Sequence, residues 1–482
     1  MEKSARIAGS SGSAACRRNH SRAGSSPVYL GAFALFLSLL APLLSEDRSA
    51  ALANDGVPAF PGAEGFGKMT QGGRGGQIID VTNLDDSGPG SLRACAEAEG
   101  PRNCVFRVSG VIRLERSIVV RKDSSNLSIL GQTAPGSGIV ITIDATNEDK
   151  KHTPLYIRGA NDVIVRHIRV RPRLPNTVSN IDGLTTESSA RVYVDHVSTS
   201  WATDENINTH ANSTEITIAN SIFAEGLNKH SKCALLGSDP RIPQQLTFWK
   251  NLCLSNRDRN PDNNHYGDSC IEIVNNVFFN ARSEWAEIYS QFPGGTPISF
   301  VGNYFKAGPS TDDKTYALRW KPADNQATPK IYQSDNETWT PSGKTIELIG
   351  PDTQQFMVDK PPCALAIDKV LPAKQAYDEV RAGSGAFPRD ALDKAWIEDL
   401  GDQGKEGRGK MVMESRELPE VDAGTPYKDE DADGMADSWE AQSGAEVGVN
   451  DAWTDAGKDG WTRFDLFMQW LSEERIAGRY PQ

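Results

Sequence analysis

Apolar residues alternate with polar ones in seven short segments through the middle of the chain. These begin at Leu127, Val163, Val192, Ile216, Leu246, Ile271 and Ile298, and read LSIL, VIVR, VYVD, ITIA, LTFW, IEIV and ISFV. A period of two sets every second side chain on one face, which predicts β-strands. The starts lie 36, 29, 24, 30, 25 and 27 residues apart, and no amphipathic helix separates them. Strands recurring at that interval predict a solenoid, with a sandwich or propeller of uneven loops as the competing arrangement. A polar residue follows each strand at a near-constant offset. It falls four residues after the start at His167, His196 and Asn220, and five after it at Asn251, Asn276 and Asn303. Stacked coils let such side chains form ladders, each amide bonding its copy on the next coil. The spacing therefore favours a parallel β-helix, an all-β fold whose inserts fall as loops on one side and carry its site.

Past Lys306 the repeat fades. Residues 307–420 are rich in charge and proline, and are expected to form a loop-rich cover with one helix at 391–400. At the other end, Lys3, Arg6, Arg17, Arg18 and Arg22 precede an apolar run from Val28 to Leu44, followed by Ala51-Leu52-Ala53. That order predicts a signal peptide over 1–53, and hence an exported protein with no membrane anchor after cleavage. The β-helix domain is then 54–306, and the expected state is a monomer.

The whole chain of 482 residues carries a formal charge of −13; its first 53 residues hold six basic and three acidic side chains, leaving −16. A chain this acidic is a poor non-specific partner for nucleic acid. A polyanionic substrate would need clustered basic residues or bound cations to reverse the local sign. Beyond Cys16 in the leader stand Cys95, Cys104, Cys233, Cys253, Cys270 and Cys363. Six cysteines in an exported chain permit disulfides. Cys95 and Cys104 are close enough for a local loop; the other four leave several pairings open, including none. No CxxC occurs, which argues against a zinc ribbon or redox motif.

Several longer stretches carry a family resemblance. They are AFPGAEGFG at 59–67, GGRGG at 72–76, VTNLDDSGPGSLR at 81–93, GQTAPG at 131–136 and DHVSTSW at 195–201. In this order they resemble pectate lyases of polysaccharide lyase family 1, in the branch called pectate lyase C-like. The resemblance runs from about Ala59 to Asn303, with a weaker echo at 376–393. It implies a right-handed parallel β-helix and calcium-assisted β-elimination of a polyuronate such as pectate. The glycines at 72–76 are not a phosphate loop and read as turn chemistry.

Such a lyase removes the proton on C5 beside a carboxylate, and the oxygen on C4 leaves. A second negative charge develops on an already anionic group, so calcium and a nearby cation stabilise the transition state. Calcium takes six to eight oxygen ligands. The resemblance implies Asp182, in the NIDG stretch at 180–183, together with Asp204 and Glu205 one coil later. Each alone would read as a solvated loop acid that supports no core. Asn180 and Asn208 stand where some relatives place aspartates, which implies a site that fills only with substrate present. Arg259, in an Arg-Asn-Pro stretch, matches the family's catalytic arginine and is the expected base. Lys232 resembles the lysine that pairs with the substrate carboxylate, although Lys229 is close by. Asn264 stands where relatives often carry a basic residue; Arg257 is a nearby substitute. Asp195 and His196 read as structural.

Near the C-terminus a second pattern appears. Counting Asp429 as position 1 puts Asp431, Asp433, Asp437 and Glu440 at 3, 5, 9 and 12, with Gly434 at 6 and Met435 offering a carbonyl at 7. That is the ligand pattern of an EF-hand calcium loop, and 421–482 is expected to form an EF-hand-like module. A second run from Asp455 to Gly460 lacks an acid at position 12, Leu466. Two alternatives to the lyase remain. An inverting polygalacturonase-type hydrolase needs two carboxylates about 6.5–9.5 Å apart, with Asp85-Asp86 the obvious pair. A non-catalytic polysaccharide-binding β-helix needs no chemistry at all.

Overall fold

The computed structural model describes residues 56–143, 153–175, 177–227, 230–402, 409–457 and 459–481. The expected leader and Lys229 lie outside them. Among the described residues no helix is long and apolar enough to cross a membrane.

Parallel strands stack into three sheets of ten, nine and nine strands, and successive strands of each sheet come from successive coils. All seven strands read from the alternation lie in the ten-stranded sheet. Their first residues stand in register, Leu127 opposite Val163, then Val192, Ile216, Leu246, Ile271 and Ile298. Every coil thus sends the same apolar positions inward, and one continuous core results. Within it Phe223 stacks on Phe248 and Phe278 on Phe305. The other two sheets use strands as short as Ser198–Ser200 in one and Asp262–Asn263 in the other, too brief for periodicity to reveal.

The polar ladder divides in two. The position four residues after the start is left-handed at His167, His196, Asn220, Lys250 and Asn275, with φ of 52°, 52°, 48°, 53° and 54°. It turns the chain out of the first sheet; there His167 stacks on His196 with ring centroids 4.8 Å apart. The next position is the amide ladder. Asn251 Nδ2 donates to Asn276 Oδ1 at 3.2 Å, Asn276 to Asn303 at 3.0 Å and Asn303 to Asn336 at 2.9 Å. Asn220 is not a rung of it: Ser221 takes that place, its N–H donating to Asn251 Oδ1.

The solenoid also continues past Lys306. Strands Lys314–Trp320, Lys330–Ser334, Glu337–Trp339 and Thr345–Ile349 add to the three sheets. Many of their side chains are half-buried or exposed, so the apolar alternation that marks the inner coils is lost. Beyond them, helices Ala373–Gly383 and Ala391–Asp402 cover the nine-stranded sheet that contains Ser198–Ser200, where Val380, Leu392, Trp396 and Leu400 pack against Trp201, Leu252 and Phe279. Buried arginines fasten this cover. Arg169 Nε meets Asp393 at 2.9 Å, and Arg171 meets Asp393 at 2.9 Å and also Asp390.

Helices Asp437–Ser443 and Arg463–Ile476 form the C-terminal module. Phe464, Phe467 and Met435 pack on Val105 and Leu130 of the first sheet. Disulfides join Cys95 to Cys104, Cys233 to Cys253 and Cys270 to Cys363. The glycines at 72–76 do serve close approach: a Cβ on Gly73 or Gly76 would lie 2.0 or 2.1 Å from the carbonyl oxygen of Arg102 or Pro101.

Candidate active site

The nine-stranded sheet that contains Asp262–Asn263 carries the candidate chemistry. Asp182 sits in the turn before strand Leu184–Glu187, Glu205 opens strand Glu205–His210, and Lys232 opens strand Lys232–Ser238. Parallel register then sets charged residues opposite one another. Glu205 stands opposite Lys232, Lys232 opposite Asp258, and Asp262 opposite Glu287.

Carboxylate oxygens of Asp182, Asp204 and Glu205 lie within 4.8 Å of one another. Asp182 is buried and accepts hydrogen bonds from Thr185 Oγ1 at 2.7 Å, Asn208 Nδ2 at 2.9 Å and the Glu205 N–H at 3.2 Å. It is therefore a structural anchor as well as a candidate ligand, unlike the solvated loop acid that its sequence position suggests. Burial raises its carboxyl above the usual range, against the Thr185 hydrogen bond. Burial, then the charges of Asp182 and Asp204, push Glu205 up to about 8. Like charges gathered in a shielded place favour any cation that can join them.

Two cations of the chain already do so. Lys232 Nζ lies 2.5 Å from Asp204 Oδ1 and 3.2 Å from Glu205 Oε1. Arg259 donates from Nη1 to Glu205 Oε1, and its Nε lies 3.1 Å from Asp262 Oδ2. Its backbone is left-handed, with φ of 50°, and its N–H donates to Glu287 Oε2 at 3.0 Å. Burial works against both cationic charges, but the carboxylates outweigh it. Glu205 and Asp204 hold Lys232, and Asp262 and Glu205 hold Arg259, above their ordinary values. Sequence reasoning missed Asp258, Asp262 and Glu287. The first two flank Arg259 in the sequence, and this was the available signal; Glu287 comes from the next coil and had none. Burial pushes Asp262 up to about 8.

A groove of about 590 Å³ runs over the same sheet, lined by Arg116, Arg121, Tyr156, Arg158, Asp182 and Asn208 among others. Asn264 spans to Gln291, accepting from its N–H at 3.1 Å and donating to Oε1 at 3.0 Å. His265 is buried, with Nδ1 2.6 Å from Gln244 Oε1, so it belongs to the packing of the coil. Asp86 is bound by Arg93 at 2.6 Å and by the Glu115 N–H, which removes the obvious acid pair of a hydrolase. Asp195 and His196 are structural: Asp195 is buried against Arg166 at 2.9 Å and His196 Nδ1 at 2.9 Å.

At the C-terminal loop, Asp429, Asp431 and Asp433 converge within 4.8 Å. Glu440 joins Asp433 there, but the companion of that pair is Asp451. Asp437 points elsewhere, accepting from the Glu430 N–H at 2.9 Å and from Lys428 Nζ at 2.7 Å.

Three stacked parallel sheets, one of which gathers acids and bases from successive coils, define a parallel β-helix protein. No protein-family model matches the chain. Sequence relatives do. A protein of Aspergillus fumigatus described as "Probable pectate lyase C" is 32% identical over 424 residues, spanning 86% of this chain and 94% of that one. The chain belongs to the pectate lyase family, a family of polysaccharide lyases. A protein of the same description from Emericella nidulans is 32% identical over 428 residues, covering 87% and 94%. "Probable pectate lyase 13" of Arabidopsis thaliana is 26% identical over 299 residues, 57% of this chain and 51% of that one. Among solved structures, jun a 1, the major allergen from cedar pollen, shares the fold with a TM-score of 0.50 and 20% identity, over 67% of this chain and 92% of that one.

Proposed function

We propose that this protein is an exported pectate lyase that cleaves polygalacturonate by calcium-assisted β-elimination. The observation that carries this reading is the meeting of Asp182, Asp204 and Glu205 with Lys232 and Arg259 on adjacent coils of one sheet. The donor set fits a hard divalent cation: all three groups are carboxylates, and their oxygens are near enough to share one ion. Bound there, calcium would neutralise the substrate carboxylate and lower the energy of the enolate that forms beside it.

The chain's own groups set the rest. Arg116, Arg121 and Arg158 offer guanidinium groups along the groove to a polyanion, so the acidic protein reverses its sign locally. Lys232 exchanges an acidic partner for a substrate carboxylate. Arg259 acts as base on C5–H only once its bonds to Glu205 and Asp262 are broken and its guanidinium has given a proton to solvent, because pairing with carboxylates keeps it protonated; the C4 oxygen then leaves and takes a proton from water. Three disulfides support export, since such bonds persist in oxidising compartments. Polygalacturonate assayed with and without a calcium chelator tests the proposal. Calcium-dependent ultraviolet absorbance of an unsaturated product is expected. Reducing ends without absorbance would mean a hydrolase, and binding without either product would mean a non-catalytic protein.

A further inference from the structure

The C-terminal loop holds more buried carboxylate than its hydrogen bonds satisfy. Asp429 accepts from the N–H groups of Asp433 at 3.1 Å and Gly434 at 3.0 Å, and Asp433 accepts from Met435 at 2.9 Å. These bonds close the loop. Both carboxylate oxygens of Asp431, both of Glu440 and Oδ1 of Asp451 are shielded from solvent without a partner. Glu440 is wholly buried, at 0% exposure. Nearby cationic groups are few: Arg107 Nη1 lies 3.6 Å from Asp429, and Arg463 pairs with the other oxygen of Asp451. Leaving buried carboxylates bare costs several kcal/mol per ion, so this arrangement calls for a cation at its centre.

We propose that one calcium ion binds here through Asp429, Asp431, Asp433, Glu440 and Asp451, with Asp451 replacing Asp437 of the twelve-residue pattern. Asp433 belongs to both triads of converging oxygens and so joins them. Five carboxylates, with Glu440 able to give both oxygens, supply the six or more ligands calcium takes. Magnesium, which keeps several waters, suits such an all-protein cage less well. The ion would also have a mechanical role. Met435 and Ala452, each next to the site in sequence, pack with Val105 and Leu130 of the solenoid. Asp433 further accepts from the Asp451 N–H at 3.4 Å. Calcium thus clamps two segments of the module together on the first coils. This inference does not depend on the lyase reading.

Terbium, a luminescent calcium substitute, tests it in the full chain, with Asp182→Asn and Asp204→Asn introduced to silence the other acidic cluster. Trp439 and Trp453 flank the proposed ligands and serve as sensitisers. Tryptophan-sensitised emission that calcium displaces is expected. Glu440→Gln and Asp451→Asn should each weaken calcium by ~10-fold or more, because a charged ligand is lost. Asp437→Asn should leave affinity nearly unchanged. Arg463→Gln breaks the pair with Asp451 without removing a ligand, and should retain binding if the module is folded. Calcium should also protect the module's two helices from limited proteolysis, an effect that Glu440→Gln abolishes. Absence of sensitised emission, or loss of binding in Asp437→Asn but not Asp451→Asn, would overturn the proposal.

Discussion

Arg259 is held by a left-handed backbone and by carboxylates from two other coils. Lysine has neither the planar fork nor the reach to reproduce that arrangement. Arg259→Lys is expected to lose about 10²–10⁴-fold in turnover, while calcium-dependent oligogalacturonate binding largely persists. If both fall together, Arg259 only grips the substrate. Asp182 behaves differently because three hydrogen bonds converge on it. Asp182→Ala should raise the calcium requirement and also destabilise the fold by about 1–3 kcal/mol, read as a shift in the denaturation midpoint. Asp182→Asn should restore most of the stability while the calcium requirement stays raised. Glu272 supplies a pH signature away from the site. It is almost fully buried, accepts from Thr247 Oγ1 and the Ala366 N–H, and burial pushes it up to about 7 from 4.5. An acid with a raised folded pKa keeps its proton longer than the unfolded chain does, so stability falls as pH rises from about 4.5 to about 7. At most about 3 kcal/mol is at stake. Melting curves across that window should show the native protein losing ground against Glu272→Gln.

At the scale of elements, the amide ladder and the strand register enforce each other. Asn276 donates to Phe248 O and Val274 O, and accepts from the Asn251 N–H. Asn276→Ala strands these groups inside a turn closed to solvent. A loss of about 2–4 kcal/mol is expected, more than one exposed amide would give, and urea denaturation would measure it. A change near zero would show that the neighbouring coils relax to bond one another. The offset of four and the offset of five looked like one drifting ladder in the sequence. They are two positions with different tasks, a left-handed turn and an amide stack, and only the backbone dihedrals separate them.

For the whole molecule, burial of charge joins the cover to the solenoid. Arg169, Arg171 and Asp393 are each no more than 1% exposed. Asp393→Ala would leave two buried guanidinium groups with Asp390 alone. The expected cost is about 3–5 kcal/mol, with the helix Ala391–Asp402 exposed to proteolysis before the coils unfold. Simultaneous loss of cover and core would mean that the two form one cooperative unit. The Cys270–Cys363 bond makes a comparable long-range tie across 93 residues.

The sequence by itself determined the coil. Period-two alternation recurring at intervals of 24 to 36 residues fixes which side chains face inward, and every strand start it marked lies in register with the next. It also singled out Asp182, Asp204, Glu205, Lys232 and Arg259, which the coils bring side by side on one sheet. The last coil escaped it, since terminal strands bury less and lose the alternation that burial imposes. Glu287 beside Arg259, and Asp451 beside Glu440, were likewise decided only by tertiary structure. Register across parallel strands joins residues a whole coil apart, and the packing of the terminal module turns Asp437 outward while bringing Asp451 in. Linear spacing does not encode either distance; it takes shape only when the coils stack and shield these charges from water.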